Sequence, residues 1–208
     1  MSQKTFTSID FLNATEVTPE VLDKLHHYHA RLLEWNPKIN LVSASTLPDA
    51  WRRHFLDSAQ LYPIYKHSGE DITMADLGSG PGFPGMVLAM MGAPNVSLIE
   101  RDVRKAAFLR TIAAETKTQV ELLNLNIKDI KDRQFDVITS RALADLNELL
   151  NLSEPLRKPS THCLFLKGKN LDAELAEAQK EWVMDVRKME SVTDDEAFIL
   201  RLTNIKRA

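Results

Sequence analysis

The segment best equipped for chemistry is Asp76-Leu77-Gly78-Ser79-Gly80-Pro81-Gly82-Phe83-Pro84-Gly85. Its glycines permit a sharp backbone turn and let a ligand approach the main chain closely. Residues 80–85 spell G-x-G-x-x-G, the dinucleotide-binding pattern, a weak signal when taken alone. A pyrophosphate is held by backbone N–H groups at a helix N-terminus, and Pro81 and Pro84 each remove one such donor. Asp76 adds a negative charge beside the loop, which opposes phosphate and suits an ammonium or sulfonium cation.

S-adenosylmethionine meets that description, with an amino-acid tail, a sulfonium and an adenosine. Glu100 stands 22 positions after Gly78, at the end of the next apolar run. An acid at such a strand end accepts hydrogen bonds from ribose hydroxyls. The alternative for Glu100 alone is a solvated strand-end charge. A nicotinamide oxidoreductase is disfavoured by the two loop prolines.

The elements that must position these residues follow from periodicity. Thr18 caps and Pro19 opens a helix on which Val21, Leu25, Tyr28, Leu32 and Trp35 share one face, and Pro37 is expected to end it. A second helix is expected after Pro48, carrying Trp51, Phe55, Leu56 and Ala59 as far as Tyr62-Pro63. From residue 72 the pattern changes to strand-like runs at 72–77, 96–99, 120–125, 135–139 and 163–166. Helical stretches at 85–91, 103–116, 143–152 and 171–182 separate or follow them. Such alternation predicts a parallel sheet covered on both faces. The last two runs, 184–189 and 198–202, are joined by an acidic turn too short for a crossover helix, so they must pair antiparallel.

The expected fold is therefore α/β: a doubly wound, mostly parallel seven-stranded sheet with a C-terminal antiparallel hairpin. This is the Rossmann-like arrangement of S-adenosylmethionine-dependent methyltransferases. A single methyltransferase domain is expected, residues 1–70 forming a helical cap and residues 71–208 the cofactor-binding sheet.

Composition sets the outer bounds. The 208 residues are 44% apolar and 26% charged, as in ordinary globular proteins and unlike disordered ones. No apolar run approaches the roughly 20 residues that span a bilayer, and the N-terminus has no h-region. The single cysteine, Cys163, closes no intrachain disulfide, so a cytoplasmic location is expected. The net charge of −3 hides an asymmetry: residues 172–197 hold nine acids and three bases, leaving the rest of the chain net positive. A local basic face toward nucleic acid is thus permitted.

The sequence resembles the bacterial 16S ribosomal RNA guanine-N7 methyltransferases, also called glucose-inhibited division protein B. The resemblance rests on Trp35-Asn36-Pro37-Lys38-Ile39-Asn40-Leu41, Arg53-His54-Phe55-Leu56-Asp57-Ser58 and the glycine loop. Glu100 with Lys105 and Phe108-Leu109, Ser140-Arg141-Ala142 and Leu166-Lys167-Gly168 complete it. The glycine loop is widespread, so the first two segments make the match specific. The resemblance implies methyl transfer from S-adenosylmethionine to N7 of one guanine in the decoding-region loop. The substrate would be 16S ribosomal RNA or the small subunit, and the enzyme a monomer without metal or membrane attachment.

Carried over by residue, the resemblance implies that Gly78 and Phe83 line the cofactor pocket, that Ile127 and Lys128 lie against the adenine, and that Arg141 binds cofactor. Asp76, Gly80 and Glu100 join the cofactor set from the loop argument above. The sequence departs from the family at Asn126-Ile127-Lys128, where members commonly show an arginine, a small apolar residue and an acid. Backbone contacts would survive that change. Arg141 and Lys167, at the ends of the fourth and fifth strands, are expected to position guanine or cofactor, and are the residues assigned to catalysis.

Guanine N7 carries a lone pair and no proton, so its attack on a methyl group needs no general base. Catalysis is expected from alignment of the reactants and from fixed charge. Arg52, Arg53 and His54 form a basic cluster able to meet phosphates or simply face solvent. His54, Asp57 and Ser58 suggest a buried polar link between cap and sheet. His26, His27 and His29 lack an acid or cysteine to complete a metal site, and the tryptophans read as packing anchors. The competing functions are a methyltransferase with a small-molecule acceptor and a non-catalytic ribosome-assembly factor.

Overall fold

The computed structural model describes residues 5–66 and 71–208. The expected junction at residue 70 and residues 1–4 lie outside them. The chain opens with α1 (Ser8–Thr15), a helix that periodicity did not announce. A capping box makes it: Thr7 accepts from the Asp10 N–H, and the Asp10 carboxylate accepts from the Thr7 N–H at 2.8 Å. Its one buried residue, Phe11, meets the Trp51 ring 5.5 Å away.

Helix α2 (Pro19–Ile39) starts at the Thr18 cap as expected, but Pro37 does not end it. The helix continues to Ile39, and Asn40 stops it in the left-handed conformation at φ 49°. Asn36, buried at this end, accepts from the Val42 N–H at 2.8 Å and turns the chain back toward the sheet. The expected second helix is two unlike pieces, a π-helical segment (Trp51–Leu56) and α3 (Asp57–Ala59), preceded by a 3-10 segment (Ala44–Asp49) that runs through Pro48. Helix α4 (Tyr62–Lys66) follows, with Pro63 near its start rather than as a stop.

The sheet is built by β1 (Met74–Leu77), α5 (Gly85–Met90), β2 (Val96–Ile99), α6 (Val103–Glu115) and β3 (Glu121–Leu123). Then come β4 (Phe135–Arg141), α7 (Leu146–Ser153), β5 (Arg157–Lys167), α8 (Leu171–Ala178), β6 (Trp182–Glu190) and β7 (Phe198–Arg207). The strand order is β3-β2-β1-β4-β5-β7-β6. The first five strands are parallel, β7 is antiparallel to β5, and β6 pairs with β7. The Rossmann-like sheet and its C-terminal hairpin are as the sequence predicts.

Helix α8 stops at Ala178, short of the expected end at Trp182. Trp182 instead opens β6, buried, its indole N–H donating to Asn147 Oδ1 at 2.8 Å. The guanidinium groups of Arg157 and Arg207 cover its ring at 5.0 and 3.9 Å.

Each sheet face has its own core. Ala75, Leu77, Ile138, Phe165 and Leu200 pack on α7 and α8. On the opposite face Met74, Leu98, Val137 and Leu164 share one core with Leu25, Tyr28 and Leu32 of α2 and Phe55 of the π-helical segment. The cap is therefore continuous with the sheet. Trp35 and Trp51 serve that packing, Trp35 against Phe108 and Trp51 against Phe55.

Candidate active site

The site forms at the carboxyl ends of β1, β2, β4 and β5, where doubly wound sheets open. After β1 the chain turns through residues 78–84, with Gly78 at φ +64° and Gly80 at φ +56°. A Cβ at Gly78 would also lie 2.6 Å from Leu143 Cδ1, so only glycine fits without strain or displacement. Glu100 holds the loop from the next strand, accepting from the Gly80 N–H at 2.8 Å and the Asp102 N–H at 2.6 Å. Ser79 accepts from the Ile99 N–H at 3.1 Å and donates to the Asp76 carbonyl at 2.9 Å.

Asp76 is fully buried beneath the loop and does not line the cleft described below. Its carboxylate accepts from the Gly85 N–H at 3.1 Å and from the Thr139 hydroxyl at 2.9 Å. Register explains the second bond, since Asp76 and Thr139 are directly paired across β1 and β4. Burial pushes the carboxyl up to about 6, against the opposing pull of these hydrogen bonds.

Tyr28 of α2 donates its phenolic hydroxyl to the Pro81 carbonyl. Its ring stacks on Phe83, centroids 5.2 Å apart and planes at 13°. Sequence reasoning placed Tyr28 only on an apolar helical face. The phenol within that stripe was the available signal, since a buried O–H requires an acceptor.

Beside the loop lies a cleft of about 890 Å³. Gly78, Gly80, Phe83, Arg141 and Lys167 line it, as do cap residues including Arg53, His54 and Asp57. The turn between β6 and β7 contributes Thr193, Asp194 and Glu196. Phe83 contributes little accessible side chain, for its ring is also covered by His54 at 5.1 Å and by the Arg141 guanidinium at 5.0 Å. Glu100, Ile127 and Lys128 are not in the cleft wall: Glu100 is buried against the loop, Ile127 belongs to the second core, and Lys128 is exposed.

Arg141 leaves the end of β4 and meets the cap. Its Nη1 donates to the Arg53 carbonyl at 3.1 Å, His54 Nδ1 at 3.1 Å and Asp57 Oδ2 at 3.2 Å. Because Arg141 is the donor, His54 Nδ1 must be the acceptor and His54 Nε2 the protonated nitrogen. That nitrogen donates to Thr46 Oγ1 at 2.8 Å, and Thr46 donates to the Ser43 carbonyl at 2.7 Å. Burial, with Arg141 and Arg53 nearby, pushes His54 down to about 3 and keeps it neutral.

The expected polar link between cap and sheet is thus made by His54 and Asp57. Ser58 is not part of it, for it donates to the His54 carbonyl of its own turn. The basic cluster is also dispersed: Arg53 pairs with Asp194 at 2.7 Å, while Arg52 lies over the Phe6 ring. Lys167 is nearly enclosed, bonded to Glu174 at 2.5 Å and to the Ala144 carbonyl at 3.0 Å. His27 pairs with Glu115 at 2.7 Å, whereas His26 and His29 pack on Trp51.

A parallel sheet ending in an antiparallel hairpin, with a glycine loop after β1 and an acid after β2, defines a Rossmann-like methyltransferase. Residues 21–199 match the family model described as rRNA small subunit methyltransferase G. The chain is 43% identical over 198 residues to the ribosomal RNA small subunit methyltransferase G of Paramagnetospirillum magneticum, covering 95% of this chain and 96% of that one. It belongs to this family. Among solved structures, a ribosomal protein L11 methylase from Lactobacillus delbrueckii subsp. bulgaricus superposes with TM-score 0.57 at 19% identity, covering 72% of this chain and 78% of that one. M. jannaschii TYW2 in complex with AdoMet gives TM-score 0.55 at 14% identity, over 74% and 77%. These two likenesses concern the fold.

Proposed function

We propose that the protein transfers a methyl group from S-adenosylmethionine to N7 of a specific guanine in the decoding-region loop of 16S ribosomal RNA. Family membership supports the reaction class and the substrate. The observation that carries the choice of acceptor atom is the state of His54. Among the described residues it is the only histidine in the cleft wall, hydrogen-bonded at both nitrogens and held neutral with a pKa of about 3. It is not poised to remove a proton near neutral pH. N7 has no proton to remove.

The residues fit S-adenosylmethionine. The cleft volume is within the ~300–1,000 Å³ of small-molecule sites. A side chain at Gly80 would enter nearly open space, with only the Gly78 carbonyl within 4 Å, at 3.9 Å, so the backbone there is open to close approach. Bound S-adenosylmethionine supplies an electrophilic methyl group on a sulfonium. In this reading Gly78 and Gly80 give that close backbone approach, and Glu100 accepts from ribose hydroxyls with the lone pairs that Gly80 and Asp102 leave free. The backbone of Ile127 and Lys128 borders the adenine.

Asp76 and Phe83 act by fixing the loop. Arg141 and Lys167 orient the guanine or the cofactor, a donor to O6 being productive and one to N7 blocking the nucleophile. Cap and sheet act as one domain. The protein works as a cytoplasmic monomer on 16S RNA or the assembling small subunit.

The test is transfer of labelled methyl to small subunits from a strain lacking this gene, followed by nucleoside analysis. The expected result is 7-methylguanosine at one site, lost with Glu100→Ala. Cofactor binding without transfer to subunits or free 16S RNA would refute the RNA assignment.

A further inference from the structure

The Arg53-His54-Phe55-Leu56-Asp57-Ser58 segment has a place in the fold but no role in the reaction as described so far. Asp57 is the point where three distant parts of the chain meet. Its Oδ2 accepts from Arg141 at the end of β4, at 3.2 Å. Its Oδ1 accepts from Thr193 in the β6–β7 turn at 3.0 Å and from Gln60 at 2.9 Å. Gln60 in turn accepts from the Val192 N–H at 3.0 Å, fastening the same turn a second time. The side chains of Arg141 and Asp57 are only 17% and 14% exposed, so water screens this pair weakly.

The arrangement on Arg141 is one-sided. All three protein acceptors, the Arg53 carbonyl, His54 Nδ1 and Asp57 Oδ2, bond the same nitrogen, Nη1. Among the described residues, Nη2 and Nε have no protein acceptor, and Arg141 lines the cleft. A guanidinium gripped by one nitrogen keeps a fixed plane and offers its other N–H groups, a donor edge of set orientation. The Phe83 ring supports that plane from the loop side, 5.0 Å from the guanidinium carbon.

We propose that Asp57 is a positioning residue for Arg141, with neutral His54 as the second hold. Together they direct the free donor edge of Arg141 to an acceptor oxygen of the bound reactants, either the carboxylate of the cofactor tail or O6 of the guanine. The inference rests on the methyl-transfer reading, and it gives the segment a function beyond joining cap to sheet. The charge of Asp57 matters because a charge-assisted bond orients the guanidinium more firmly than a neutral one.

The test is a double-mutant cycle with Asp57→Asn and Arg141→Ala. It is read in the calorimetric Kd for S-adenosylhomocysteine and in the KM for small subunits. Asp57→Asn alone should raise one of these about tenfold, the size of a lost charge-assisted hydrogen bond. In the Arg141→Ala background the same change should have less than about a twofold effect. A coupled Kd identifies the carboxylate as the target, and a coupled KM identifies the guanine. Additive effects in both would overturn the proposal.

Thr193→Val separates orientation from simple fastening of the turn, because it removes a partner of Oδ1 and leaves Oδ2 in place. It should lower Tm without reproducing the tenfold effect, and full reproduction would also overturn the proposal. Should the wild-type protein methylate no RNA, the functional reading fails and the guanine falls as the target, while the Kd cycle alone then decides the positioning role: coupling supports it through the cofactor carboxylate, and additivity overturns it.

Discussion

Asp76→Asn tests whether a buried charge under the glycine loop carries a stability cost. The carboxyl is fully buried and its pKa is raised from 3.8 to about 6, mainly by desolvation. Below about pH 3 both folded and unfolded chains hold the proton. Between 3.8 and 6 the unfolded chain releases it first, so rising pH favours unfolding. Above 6 the cost is constant: about 2 pH units at about 1.4 kcal/mol each, or about 3 kcal/mol.

Asparagine has the same shape and no charge to desolvate. Its Oδ1 can take the Gly85 N–H, but its Nδ2 then faces the Thr139 hydroxyl, whose own proton loses its acceptor at a cost of about 1 kcal/mol. The variant should therefore be more stable than wild type by about 2 kcal/mol near pH 8 and less stable by about 0.5 kcal/mol near pH 4, where the unfolded chain is already partly ionised. Urea unfolding of both proteins at the two pH values reads this directly. The difference between variants isolates Asp76 from every other titrating group. A stability difference that stays the same at the two pH values would mean that the buried Asp76 charge carries no such cost.

Tyr28→Phe removes the hydroxyl from the Pro81 carbonyl while keeping the ring stack on Phe83. It should cost about 1–3 kcal/mol in urea unfolding and weaken S-adenosylhomocysteine binding, since the loop loses its tie to the cap. His54 titrates with the opposite sign to Asp76, because burial favours the neutral form of each, which is the protonated carboxyl for Asp76 and the deprotonated imidazole for His54. Its contribution is complete above 6.5 and is lost as pH falls toward 3. Between pH 7 and pH 5 this should amount to about 2 kcal/mol, and His54→Gln should remove that slope from the urea midpoint measured against pH.

Much of the sheet was legible because β-branched and leucine-rich runs alternate with helical spacing, and because the acidic turn at 193–196 is too short for a crossover. The glycine loop and Glu100 were legible for the same local reason: a turn and a strand-end acid are written in neighbouring residues. What stayed hidden depends on pairs far apart in the chain. The Asp76–Thr139 bond follows from strand register, and the grip on Arg141 by Asp57 and His54 requires the cap to be docked.

Tyr28 fits an apolar stripe, and only the docked loop reveals why a phenol stands there. Trp182 continues the helical spacing of α8 yet opens a strand, because the partners of its ring and indole N–H lie on β5, β7 and α7. The cap segment keeps its apolar residues at helical spacing while the backbone widens to a π-helix, a change that composition does not register.

The order β5-β7-β6 has a consequence for how the chain is made. Strand β6 leaves the ribosome before β7, yet among the described residues β7 is its only neighbour in the sheet. Until residues 198–207 emerge, β6 has no partner and β5 presents a bare edge, the kind of surface on which nascent chains associate wrongly. The turn carrying Thr193 and Asp194 cannot settle on Asp57 and Arg53 before that strand closes. The cleft is thus finished only once residues 198–207 have been synthesised, and a chain released before them would have a glycine loop but not the complete cleft beside it.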